Sequence, residues 1–381
     1  QNDSDNDGVG NACESNSTVL PSDTVLVRPE TKGPIFAPIT SYRWLPDDKW
    51  PDKNYELPIY KVLNREKEAY WNYLVDELLL ARVDAVLLHG SGCKSLNSGF
   101  EGHGNMCPRT LTKFVDAVEK ADATDVIKVG MWDAMAHYPA DAGDDRFDMS
   151  NQNDWKYFWD HNIKIFFDTI PKKMWFLMDG KPLITAWHIK DNKFKNQKGN
   201  ASKLITWLKS KFKNRYGVEP VFIVQDDWFK SDPTLTKDHV LGKHGWFTPS
   251  KGNIHSYLTH NGKKWGAVAA GYRKDNDGGL SVPGCGSSCR EVVRKNGRTL
   301  IDALEKGKDA HFILYEAWTN MGESGGLYRS DDWEYPTQYI NIARRYADPS
   351  PETLRFQAEG ADRFNDTTSD NKGGDYADRA L

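Results

Sequence analysis

No stretch of about 18 apolar residues occurs in this 381-residue chain, which excludes a membrane-spanning helix. A phosphate-cradling Gly-rich loop ahead of a helix is missing. Neither His-x-His nor His-Glu-x-x-His occurs, so a metal centre drawn from His188, Asp226 and His244 has no spacing behind it. The formal net charge is -4, without the basic surplus that a nucleic-acid surface needs.

Cysteine is scarce, with five in the chain, and their positions bear on the compartment. Cys93 and Cys107 bracket a Gly/Asn/Ser loop, Cys285 and Cys289 close a Cys-Gly-Ser-Ser-Cys turn, and Cys13 is left over. Two local disulfides in a secreted or cell-surface protein are the expectation, since oxidising compartments preserve such bonds. Zinc is the rival, but these spacings fit no common zinc site, and His103 is the one histidine nearby. The chain opens at Gln1 as a mature or cloned terminus would, with no signal peptide in view.

What the chain has in quantity is aromatic surface. Phe, Trp and Tyr make up 12% of residues, and many of the 14 Trp stand beside charged or amide residues instead of inside apolar runs. That pattern suits sugar binding, in which a flat ring stacks on the pyranose face while polar neighbours take the hydroxyls.

Residues 33–347 alternate strand and helix signals. Strand candidates are 35–42, 83–89, 127–133, 182–188, 221–226, 243–247, 265–272 and 311–316. Amphipathic stretches at 66–80, 111–120, 155–170, 201–216 and 298–306 fall between them, as a parallel barrel requires. The predicted fold class is α/β, a (β/α)8 TIM barrel, with a short N-terminal segment over 1–32 and a C-terminal tail over 348–381.

In such a barrel, chemistry gathers at the carboxyl ends of the strands. The residues there are Tyr42 and Arg43, His89, Trp132 and Asp133, Trp187 and His188, Asp226 and Asp227, Trp246, Tyr272 and Arg273, then Glu316 and Trp318. Glycoside cleavage needs an acid to protonate the leaving oxygen and a carboxylate as nucleophile or base. Glu316 beside Trp318, and Glu323 in a Gly-rich loop with Asn320, are the acid/base candidates. Asp226 and Asp227 are the partner candidates, with Asp133 as a third site; the aromatic, histidine and arginine residues and Asn320 are assigned to substrate binding. Loop cations Lys94, His255, His260, Lys263, Lys264, Arg273, Lys274 and Arg290 favour an anionic glycan, because Lys and Arg hold sulfate through charge-assisted hydrogen bonds. A monomer with no catalytic cofactor is expected. The alternative is a noncatalytic sugar-binding barrel, which keeps the aromatics without paired acids.

Several stretches carry resemblances. Ala317-Trp-Thr-Asn-Met-Gly-Glu323-Ser resembles the Ser-Trp-Asn-Glu-Trp-Gly-Glu-Gly type of motif in glycoside-hydrolase family 99-like barrels. Trp132-Asp133, the Asn162 to Pro171 stretch and Asp179-Gly-Lys-Pro-Leu-Ile184 resemble the middle of the same group. The resemblance carries Glu323 onto a family catalytic position, whereas Asn320 stands where the family has its first glutamate. The modular setting also resembles secreted Bacteroidetes polysaccharidases, including family 168 endo-fucanases, which implies a sulfated, fucan-like substrate. At the N-terminus, Asp3, Asp5 and Asp7 followed by Gly8 resemble a thrombospondin type 3 calcium repeat, which implies a structural calcium; a disordered acidic linker is the other reading. After Pro351, Phe356-Gln-Ala-Glu359 and Asn371-Lys-Gly-Gly-Asp-Tyr376 resemble the opening of a family-6-like carbohydrate-binding β-sandwich, or form a polar tail.

Overall fold

The structure is a computed structural model that describes residues 34–40, 58–59, 67–90, 100–101, 105–133, 146–189, 194–246, 254–272, 295, 297–319, 326–330, 333 and 335–347. The chain divides into two compact units, Gln1–Thr31 and Lys32–Leu381, and every described residue belongs to the second. The calcium-loop residues Asp3, Asp5 and Asp7, and the tail from 348 onward, lie outside the described residues.

Each of the eight expected strand segments contributes a strand. These are β1 Ile35–Thr40, β2 Val86–His89, β3 Val129–Asp133, β4 Lys181–Ala186, β5 Val221–Gln225, β6 Gly242–His244, β8 Lys263–Val268 and β9 Phe312–Tyr315; β7, His255–His260, lies between β6 and β8. Strands β1 to β6 pair in sequence order, all parallel. On the other side of β1, β9 pairs parallel to it and β8 parallel to β9, so the sheet curls back towards β6. The result is an α/β fold with a nearly closed, barrel-like sheet.

The strict alternation expected of a (β/α)8 barrel is interrupted between β6 and β8. There the described residues form β7, antiparallel to β8, instead of a helix. Among the described residues no ladder joins β6 to β8, and packing holds that seam. The Asn261 side chain donates to the Leu241 carbonyl over 3.1 Å, and a Cβ added at Gly242 would stand 2.5 Å from the Trp265 ring. A residue without a side chain is what lets the indole lie against the β6 backbone.

Helices follow the other strands: α1 Glu68–Ala81, α2 Pro108–Lys120, α3 Gln152–Phe158, α4 Lys164–Thr169, α5 Ala201–Tyr216, α6 Asp227–Ser231, α7 Arg298–Glu305 and α8 Gln338–Ala347. A π-helical turn, Trp159–Ile163, joins α3 to α4. Helix α1 buries Tyr70, Leu74 and Leu78 on one stripe with Trp71 and Val75 beside it, the i, i+4 spacing of a core-facing helix. Each such side chain contributes about 1.5–3 kcal/mol through burial. Helix α5 stops at Gly217, whose φ of 85° lets its N–H turn back to the Lys213 carbonyl.

Apart from β7, the strands are largely buried on both faces, and the two faces pack into different cores. Phe36, Leu88, Met131, Ile184, Val224 and Ile313 join the helices in the larger cluster. Ala37, Leu87, Trp132, Leu183, Ile223, Trp265 and Leu314 form the smaller one, which contains no residue of the named helices and fills the barrel interior. The period of two along each strand thus decides which residues at its end look into the barrel mouth.

Candidate functional site

Carrying the inward series to the strand ends sorts the expected site residues. On β2, His89 follows Leu87 and stands in register with the inward Trp132 on β3. On β5, Gln225 follows Ile223 and pairs in register with His244 of β6. Trp187 and Trp246, just past β4 and β6, pack against the inner cluster. On β9, Glu316 follows Phe312 and Leu314, with its N–H donating to the Val268 carbonyl over 2.9 Å.

The aromatic members form a continuous wall. The His89 ring meets Trp132 at 4.7 Å between centroids, Trp132 lies 6.1 Å from Trp187, and Trp187 lies 5.9 Å from Trp246. His244 closes the row, 6.1 Å from Trp246. Rings at such separations are in aromatic contact. The ends of β2, β3, β4 and β6 therefore present one π-rich surface to the mouth.

Three buried polar atoms on this wall have no hydrogen-bond partner among the described residues: Trp132 Nε1, Gln225 Oε1 and His244 Nε2. Leaving a buried donor or acceptor unpaired costs about 1–3 kcal/mol, so such atoms are uncommon and cluster where something else satisfies them. His244 is fully buried, and desolvation lowers its pKa to about 4, which keeps the imidazole neutral. Its Nδ1 lies 3.3 Å from the Gly245 carbonyl. A carbonyl only accepts, so Nδ1 carries the proton and Nε2 presents a lone pair.

The outward parity accounts for the other strand-end residues. Asp133 follows Val129 and Met131 on the helix-facing side of β3; it is fully buried, and Asn162 of the π-helical turn donates to its Oδ1 over 3.4 Å. That corrects the expectation that Asp133 meets the mouth. His188 follows Ile184 and Ala186 onto the same outer face and is buried there. Asp226 follows Phe222 and Val224, and its carboxylate pairs with Lys230 at 2.6 Å. Asp227 opens α6 and accepts from the Ile189 N–H through Oδ2 at 3.2 Å, tying the β5 exit to the β4 exit. Tyr272 is buried in the outer cluster.

Trp318 is a second correction. It is fully buried in the outer core, and its indole N–H donates to Glu77 Oε2 over 3.2 Å, so its ring is not available to stack on a ligand. Glu77, on α1, also accepts from the Arg329 backbone N–H at 2.9 Å and from Arg329 Nε at 3.4 Å through Oε1. Burial pushes its pKa up to about 7 against the lowering effect of these donors. Glu77 thus pins both limbs of the segment that follows β9. Within the pattern of α1 it reads as an ordinary polar helix residue, and the missed signal is its position between Leu74 and Leu78 on the buried face.

The loop cations also divide. His260, Lys263 and Lys264 lie at the β7–β8 turn, at the amino end of β8 and so at the opposite end of the barrel from the mouth. Lys264 pairs there with Asp309 at 2.5 Å, and Lys263 Nζ lies 3.1 Å from His311 Nε2. These three cations therefore lie away from the mouth, because β7 runs antiparallel to β8 and carries its turn to the far end. His255 does lie beside the carboxyl end of β8, opposite Val268. Tyr42, Arg43, Cys93, Lys94, Arg273, Lys274, Cys285, Cys289, Arg290, Asn320 and Glu323 lie outside the described residues, while Cys107 is fully buried at the start of α2. Among the described residues, no group of three His, Cys, Asp or Glu is arranged to hold a metal ion.

The fold is similar to that of solved glycoside hydrolases. The GH99 endo-alpha-mannosidase from Bacteroides thetaiotaomicron superposes with a TM-score of 0.53 at 13% identity, over 85% of this chain and 98% of that one. A glycoside hydrolase-like protein gives a TM-score of 0.54 at 12% identity, over 86% of this chain and 99% of that one. At such identity the likeness concerns the fold. No curated protein matches the chain. The family described as a domain of unknown function (DUF5010) matches residues 47–363, and the chain belongs to that family.

Proposed function

We propose that this chain is an endo-acting glycoside hydrolase that cleaves a polysaccharide with two carboxyl groups. The observation that carries the reading is the mouth itself: an aromatic wall of Trp132, Trp187 and Trp246 shares the carboxyl end of a barrel-like sheet with Glu316. Flat rings suit the faces of successive sugars, and a carboxyl group beside them suits attack on the bond between those sugars.

In the proposed reaction, Glu316 or Glu323 is the acid. Its proton goes to the glycosidic oxygen as the bond to the anomeric carbon breaks. Asp227 or Asp226, from the β5 exit, is the partner carboxylate; it bonds the anomeric carbon or takes a proton from the attacking water. Asp227, tied by the Ile189 N–H to the β4 exit, is preferred because Asp226 follows Val224 to the outer face and pairs with Lys230. The solved GH99 endo-alpha-mannosidase of similar fold supports the reaction class. An anionic, fucan-like substrate rested on loop cations, three of which lie at the far end of the barrel; a neutral glycan is therefore the proposed substrate.

The same reading makes the protein exported, with Cys93–Cys107 and Cys285–Cys289 disulfides and a structural calcium at Asp3, Asp5 and Asp7. The test is the release of reducing ends from a panel of neutral and sulfated polysaccharides. New reducing ends of intermediate chain length support an endo-hydrolase. Affinity for a glycan without any new reducing end replaces it with the noncatalytic sugar-binding barrel.

A further inference from the structure

We infer that Trp132 Nε1, Gln225 Oε1 and His244 Nε2 form a subsite that reads the hydroxyl groups of an uncharged sugar ring, against the wall of Trp187 and Trp246. The inference rests on the reading of the mouth as a glycan cleft and adds to it the residues and the charge class of one subsite.

Three observations carry it. First, the three atoms stand at the carboxyl ends of β3, β5 and β6, on one surface. Gln225 and His244 are register partners on β5 and β6, and ring contacts run without a break from Trp132 through Trp187 and Trp246 to His244. Each residue is at least nine-tenths buried, with exposures of 7% for Trp132, 9% for Gln225 and 0% for His244. Each presents an atom without a hydrogen-bond partner among the described residues.

Second, the chemistry of the set is that of hydroxyl recognition. The indole N–H is a donor only, the Gln225 oxygen is an acceptor, and the His244 tautomer fixed by Gly245 leaves Nε2 as an acceptor. Each sugar hydroxyl donates one hydrogen bond and accepts others, so neighbouring hydroxyls on one ring satisfy two acceptors and one donor together. A sulfate or carboxylate offers acceptors alone and leaves both protein acceptors unmet.

Third, the surroundings are hostile to an anion. His244 stays neutral under desolvation, and Asp226 bears on it electrostatically from the β5 exit. None of the described inward side chains at this end is Lys or Arg. Burying an anion without a cationic partner is strongly unfavourable.

The test uses the full chain with Glu316→Gln and Glu323→Gln together, so that binding is read without turnover. Neutral oligosaccharides from mannan, glucan, xylan and galactan, and sulfated oligosaccharides from fucan and galactan, are titrated by calorimetry. Gln225→Met and His244→Phe are then added singly, with unfolding curves for each. The expected result is binding of a neutral oligosaccharide, weakened at least ~10-fold by each variant, with the unfolding midpoint unchanged or raised. A midpoint that does not fall separates ligand recognition from a structural role, since replacing an unpaired buried polar atom by an apolar group of the same shape removes a penalty. Should one variant fail to fold, the other decides. Tighter binding of a sulfated oligosaccharide than of its neutral counterpart overturns the inference, as does undiminished affinity in both variants. Neutral binding without hydrolysis by the unsubstituted chain keeps the subsite and overturns the hydrolase. Hydrolysis of a neutral glycan with both variants binding normally does the reverse, and absence of binding across both panels overturns both.

Discussion

Trp318 and Glu77 lie 241 positions apart, yet the indole N–H of one donates to the buried carboxylate of the other over 3.2 Å. The bond joins the segment leaving β9 to the helix that follows β1, next to the strand that carries Glu316. Trp318→Phe keeps the ring and removes the donor. We expect a loss of about 1–3 kcal/mol in unfolding free energy, from leaving Glu77 Oε2 without its indole partner, and a KM within about twofold of the original. A large rise in KM with unchanged stability would return Trp318 to the substrate.

Glu77 gives that region a pH dependence of definite sign. Its folded pKa of about 7 lies above the ordinary 4.5, so between those values the folded chain holds a proton that the unfolded chain has released. The stabilisation is full below pH 4.5 and is lost as pH rises through 7, by an upper scale of ~3 kcal/mol. Glu77→Gln cannot titrate, so its stability relative to the original chain should climb over that range and level off above it. His244, lowered to about 4, acts in the opposite sense: its contribution is full above pH 6.5 and is lost as pH falls through 4. His244→Phe should flatten this acid limb. Urea unfolding from pH 4 to 8 checks both, and parallel curves for variant and original would refute the corresponding assignment.

The seam between β6 and β8 depends on shape. Because a Cβ at Gly242 would lie 2.5 Å from the Trp265 ring, Gly242→Ala forces the indole or the strand to move. A cost of about 1–3 kcal/mol is expected, the usual scale for overpacking. Combining it with Trp265→Leu should recover part of that loss, measured as a double-mutant cycle. Additive losses would show that the two do not meet across the seam.

For the proposed hydrolysis, Glu316→Gln, Glu323→Gln, Asp226→Asn and Asp227→Asn change charge with little change of shape. One Glu and one Asp are expected to lower turnover by at least ~10^2-fold, the scale of positioned proton transfer, with unfolding midpoints preserved. Asp227 is expected to be the essential Asp, and Asp226→Asn to have the smaller effect. Full activity in all four folded variants would remove the two-carboxylate assignment.

Much of the fold was legible in the residues alone. The eight apolar strand segments and the amphipathic stretch 201–216 are written in local periodicity, and α5 spans those very residues. The repeated arrival of titratable and aromatic residues at the strand ends was likewise visible, and it marked the carboxyl rim. The connection between β6 and β8 was not legible as an antiparallel strand, because its short polar-aromatic alternation resembles a loop until β8 is there to pair with it.

The choice between adjacent residues at each rim lay beyond the sequence. Parallel strands covered on both faces read as continuous apolar runs, so nothing local says whether Trp132 or Asp133, Trp187 or His188, Gln225 or Asp226 looks inward. A slip of one residue exchanges the two faces. The register that places Leu87, Trp132, Leu183 and Ile223 in the inner core decides it, turning Asp133 to the helices and bringing Gln225 beside His244. Composition and periodicity thus determined that strands converge on an aromatic, acidic rim; the closing of the sheet decided which of those residues face one another.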